Sequence, residues 1–119
     1  MLKSFLLLGL LLTLTQADDG ELLFQGNCIT CHYPNKSVSA PSMQKVRTTY
    51  KNAFSDKKDF VYYMSEWVLH PSHETAMMSD AVKKYKLMPQ LAYEKEVLEE
   101  IAAYIYENDF TKNKTTTLP

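Results

Sequence analysis

Apolar residues recur at helical spacing in short blocks along the chain, and no block reads as a convincing strand. Phe60, Met64, Trp67 and Val68 recur at i, i+4, i+7 and i+8, which predicts one buried helix face. Ser55 or Asp56 caps that helix and Pro71 ends it. Val97, Ile101, Tyr104 and Ile105 form an apolar stripe on a helix from Glu94 to Glu107, whose acidic start suits the positive end of the helix dipole. Glu74 to Lys86 reads as a helix with charges at its end, and Ser42 to Asn52 as a weakly periodic one. Asp19 to about Gly26 is a short helix capped by Asp18 or Asp19. A loop carrying Pro34, Asn35 and Pro41 follows it. Four or five short helices and no strand make the expected class all-α.

The two ends depart from this pattern. Lys3 precedes a nearly unbroken apolar run from Phe5 to Leu14, and Thr15-Gln16-Ala17 follows. That layout is a secretory signal peptide, expected over 1–17 with cleavage after Ala17; a retained N-terminal anchor is the alternative. The run is too short for a spanning helix, which needs about 20 apolar residues. No cysteine lies near the junction, which argues against a lipoprotein. At the other end, 111–119 is polar and aperiodic and is expected to be a disordered tail, leaving 18–110 as the folded domain.

Length and charge narrow the classes. The 119 residues fit one small domain; with 45% apolar and 23% charged residues, wholesale disorder is excluded. Removing 17 of the 119 residues leaves 102, and the loss of Lys3 alone among charged groups sets 12 cations against 14 acids, a net charge of −2. Nothing in that balance favours nucleic acid or an anionic membrane as a partner. A chain of this size has a modest core. Cys28 and Cys31 are the only cysteines, and a bridge between them would close too short a loop to constrain the unfolded chain much.

Cys28-Ile29-Thr30-Cys31-His32 is the C-x-x-C-H signature of c-type haem attachment. Two thiols three residues apart, on one helical turn, can each add to a porphyrin vinyl group, and His32 then sets its imidazole under the iron. A thioredoxin-type dithiol would sit after a buried strand, and Glu21 to Gly26 has no β-branched run. Half of a zinc site would need two further ligands, and only His70 and His73 remain. On the opposite face of the iron, Met88 is the leading candidate, because Pro89 stiffens the residue before it into an extended form that can hold a thioether in place. Met77 and Met78 are the alternatives among the thioethers, and His70 and His73 are the rival imidazoles. Met64 reads as core packing.

The order of these motifs resembles the class I monohaem cytochromes c, the small soluble proteins of the bacterial periplasm. The matching residues are Gly20 to Phe24, Cys28 to His32, Ala40-Pro41, Leu87-Met88-Pro89, and the closing helix through Ile101 to Ile105, so the resemblance covers about Asp18 to Asn108. It implies a cytochrome c-like all-α fold around one haem c, an iron group bonded through Cys28 and Cys31. His32 would be the proximal metal ligand, Met88 the distal one, and the Pro41 carbonyl would orient His32. It also implies that the Leu22, Leu23 and Phe24 segment covers the stripe of the closing helix. The implied function is electron transport without enzymatic activity, in a periplasmic monomer making transient contacts with a membrane quinol-oxidising complex and a terminal oxidase or reductase. A haem-binding subunit of a larger oxidoreductase complex, or an open-site haem sensor or peroxidase, is the alternative. A peroxidase of the di-haem kind would carry a second C-x-x-C-H, and there is none.

Overall fold

A computed structural model describes residues 19–112. It contains five helices: α1 (Asp19–Asn27), α2 (Met43–Ala53), α3 (Lys57–Leu69), α4 (Ser79–Tyr85) and α5 (Lys95–Glu107). Among the described residues there is no strand, so the fold is all-α, as the periodicity predicts. The expected signal peptide over 1–17, the Asp18 cap and the tail from 113 onward lie outside the described residues.

Local chemistry sets the helix starts. The Ser42 hydroxyl accepts from the Lys45 amide at 3.3 Å and opens α2. The Asp56 carboxylate accepts from the Asp59 amide and opens α3, so of the two candidate caps Asp56 serves. The helix expected over Glu74 to Lys86 is shorter, running only from Ser79 to Tyr85. The Ser72 hydroxyl accepts from the Glu74 amide at 3.2 Å, which makes a local turn where the helix was expected to begin. Ala76 and Met77 are not helical, and Met78 at φ −120° is the N-cap.

α5 is the centre of the fold. It packs against α3, α1 and, less extensively, α2. Leu98, Ile101, Ala102, Tyr104 and Ile105 are buried along it, a wider face than the expected stripe, while Val97 is only partly covered. Phe24 of α1 covers this face, its ring centroid 5.3 Å from that of Tyr104. Of the segment expected to do so, Leu23 is partly buried and Leu22 is 58% exposed, so one aromatic does most of the covering. Phe110 completes the cluster, 5.3 Å from Phe24, with its amide donating to Gln44 Oε1 at 3.1 Å. Beyond it the Thr111 amide donates to the Asp109 carboxylate at 2.9 Å.

Arg47 of α2 ties down the end of α5. Its Nε and Nη2 donate to the carbonyls of Ile105 and Tyr106, both at 2.9 Å. These carbonyls belong to the last turn, where no intrahelical donor reaches them. Charge-assisted bonds of this kind contribute roughly 2 kcal/mol. Lys57 pairs with Glu107 at the same end. α4 stands apart, packing against none of the other four helices.

Candidate cofactor site

The C-x-x-C-H segment continues the chain out of α1 as a hydrogen-bonded turn. The Cys28 amide donates to Phe24 O at 2.9 Å, and the His32 amide to Cys28 O at 2.9 Å. Cys28, Cys31 and His32 all line one cavity of about 300 Å³, a size found for small-molecule sites. Its walls are mostly apolar. Val68, Leu98 and Ile101 come from α3 and α5, while Ala81 and Val82 come from α4. The unpartnered face of α4 is therefore a cavity wall.

The His32 ring is fixed by one strong contact. Its Nδ1 lies 2.7 Å from the Pro41 carbonyl oxygen. A carbonyl only accepts, so Nδ1 carries the hydrogen and the neutral ring keeps its lone pair on Nε2. The loop holds Pro41 in turn. The Met43 amide donates to Tyr33 O at 2.8 Å, Gln44 to Pro34 O at 3.0 Å, and the Ser42 amide to the Ser37 hydroxyl at 2.8 Å. Residues just after the motif are thus stapled to the start of α2, and the carbonyl that orients His32 is part of that staple.

The two thiols are free, Cys28 half-buried and Cys31 exposed. Burial, with the nearby Cys31 adding, pushes the Cys28 thiol up to about 11. An exchange dithiol needs the reverse, a thiolate stabilised near neutral pH. The motif also follows a helix and not a strand. Zinc fits no better. His70 caps the C-terminus of α3, His73 is exposed, and neither lines the cavity. Among the described residues no cluster of three or more His, Cys, Asp or Glu side chains could hold a metal ion.

Five methionines line the same cavity: Met43, Met64, Met77, Met78 and Met88. Met43 and Met64 are 3% and 5% exposed and belong to the packed core. Met77 is 41% exposed. Met88 is half-buried on the loop after α4. That loop is anchored just beyond Met88. Gln90 Nε2 donates to Leu69 O at 3.2 Å, and the Tyr93 hydroxyl donates to Asn27 Oδ1 at 2.7 Å, next to Cys28. The Asn27 amide nitrogen donates back to Leu23 O at 2.8 Å. A bond between residues 27 and 93 carries no spacing signal in the sequence. Tyr50 is a further wall residue that sequence patterns did not single out; burial pushes its hydroxyl up to about 12, so it remains a neutral donor. Trp67, expected to be core, lines the cavity too, with its indole N–H donating to Ser72 O at 3.2 Å.

A comparison with protein-family models decides the class: the model described as Cytochrome c matches residues 17–108. The chain belongs to the cytochrome c family. The matched stretch spans all five helices, the C-x-x-C-H motif and the Met88 loop. No curated protein and no solved structure matches the chain. Membership in the cytochrome c family carries haem-based electron transfer and covalently attached haem c. The residues present suit that group. Two free thiols and one oriented imidazole line a mostly apolar cavity that five thioethers also line. Among the described residues of this cytochrome c, no helix is long and apolar enough to cross a membrane.

Proposed function

We propose that this cytochrome c is a one-electron carrier of the periplasm, with haem c bonded through Cys28 and Cys31 and with His32 and Met88 as axial ligands. The observation that carries the reading is that both thiols, His32 and Met88 line one cavity while His70 and His73 lie outside it. Bound haem supplies an Fe(III)/Fe(II) couple, with thioether ligation favouring the reduced state. The protein's part is to hold that couple still. Pro41 keeps His32 in one tautomer and one orientation, as carbonyl partners of metal-bound imidazoles do. Gln90 and Tyr93 hold the Met88 loop against α3 and α1. With His32 and Met88 both holding the iron, no open position would remain for a substrate.

The first 17 residues support export, and cleavage after Ala17 would leave the family-matched region nearly intact. Partners would be redox proteins met briefly, a quinol-oxidising membrane complex and a terminal oxidase or reductase, each burying less than ~1,200 Å² in total. Lys83, Lys84 and Lys86 are exposed beside the Met88 loop and suit an acidic partner surface. The protein would act as a monomer. A redox titration of the purified holoprotein under carbon monoxide tests the carrier role. A single one-electron wave, with the reduced spectrum unaltered by the gas, is expected. Rapid carbon monoxide binding would overturn the carrier reading in favour of an open-site sensor or peroxidase.

A further inference from the structure

Lys86 stands out in the backbone. Among the described residues it is the one non-glycine position with positive φ, at φ 74° and ψ 171°. That combination is populated almost only by glycine, because a Cβ there crowds the neighbouring peptide groups. The surroundings explain why the chain takes it. α4 ends at Tyr85, with Val82 buried and Tyr85 lining the cavity. Four residues after Lys86, Gln90 is bonded to Leu69. Between these two anchors Pro89 has its φ fixed, and Met88, preceding a proline, is confined to extended backbone. The change of direction that brings Leu87 and Met88 onto the cavity wall must therefore occur before them, and Lys86 takes it. Gly20 and Gly26, the only glycines among the described residues, are both in α1 and do not relieve this turn.

We propose that Lys86 is a positioning residue for Met88: its left-handed backbone turns the end of α4 so that Met88 meets the cofactor site. The strain held there makes that hold looser than a glycine would. The inference rests on Met88 being the distal ligand. The strain exists while the loop is closed and is released when Met88 lets go, since the freed segment can return to negative φ. It therefore narrows the free-energy gap between closed and open loop. The ammonium group plays no part in this, so the effect follows the backbone and not the charge.

The test uses the ferric holoprotein and imidazole, a small probe that competes with Met88 for iron. The readout is loss of the weak near-infrared band that marks thioether sulfur on ferric haem. Lys86→Gly is expected to raise the imidazole dissociation constant about tenfold, strain of this class reduced by glycine's own entropy cost. Lys86→Ala keeps the Cβ and loses the charge, and should stay within about twofold of the parent protein. All variants should show the same resting band. Glycine's extra freedom in the open loop acts in the opposite direction, so tighter closure in Lys86→Gly has no origin in flexibility. Equal constants for Lys86→Gly and Lys86→Ala, or tighter imidazole binding by Lys86→Gly, would overturn the proposal. If Met88→Ala keeps the band, the ligand assignment falls and this inference with it. If Met88→Ala loses the band while Lys86→Gly matches the parent, only the role of Lys86 falls.

Discussion

A Cys28→Ala, Cys31→Ala double variant, purified without haem, should lose most of its helical circular dichroism and melt without a cooperative transition. A chain of this size has a modest core. Its packed residues gather around Phe24, Phe60, Ile101 and Phe110, to one side of the cavity. The other side is α4 and the Met88 loop, and α4 touches no other helix. Its apolar residues Ala81 and Val82 line the cavity. A porphyrin between the two sides would remove both walls from water at once. Burial of apolar surface at about 25 cal/mol per Å² is the largest favourable term available to such a chain. Without it, α4 has only seven residues and no partner, well below the length at which a helix persists alone. A cooperative, native-like melt of the double variant would show that the protein core suffices by itself.

Met88→Ala should abolish the near-infrared thioether band outright and let the reduced protein bind carbon monoxide rapidly. Met77→Ala and Met78→Ala should leave the band in place. Position on the fold separates the three. Met77 is 41% exposed and Met78 is the N-cap of α4, on the stretch entering that helix. Met88 follows α4, in a loop stiffened by Pro89 and tied at Gln90 and Tyr93 to α3 and α1, beside the C-x-x-C-H turn. Loss of the band in Met77→Ala or Met78→Ala, with Met88→Ala unaffected, would reassign the ligand. Retention in all three would move the thioether to Met43 or Met64, the other two methionines of the cavity wall, whereas absence of the band from the parent protein would remove methionine from the iron altogether and reopen the sensor or peroxidase reading.

Some of this could be read in advance from the chain. Haem attachment needs its thiols and imidazole within one turn, so Cys28, Cys31 and His32 are contiguous and visible in any sequence. α3 and α5 were legible because each buries one face against the other, and that requirement writes a helical period into Phe60, Met64, Ile101 and Ile105. α4 was overextended because its inner face meets a cavity and not a helix, which weakens the period, while Ser72 diverts the backbone into a turn. Phe110 lies past the end of α5, after Asn108 and Asp109, where no repeat announces a core residue. The Tyr93–Asn27 bond and the cavity face of Tyr50 join segments far apart in the chain, and spacing says nothing about such pairs. The strained backbone at Lys86 was also hidden, since lysine carries no preference for positive φ. The bonds that hold the Met88 loop beside the cavity, Gln90 to Leu69 and Tyr93 to Asn27, are long-range contacts too.

The most direct measurement is the intact mass of the exported protein under denaturing conditions, with its absorption spectrum taken on the same sample. The account predicts a coloured species heavier than the chain processed after Ala17 by one haem, with the added mass gone in Cys28→Ala, Cys31→Ala. Colourless material at the mass of the bare processed chain would contradict it.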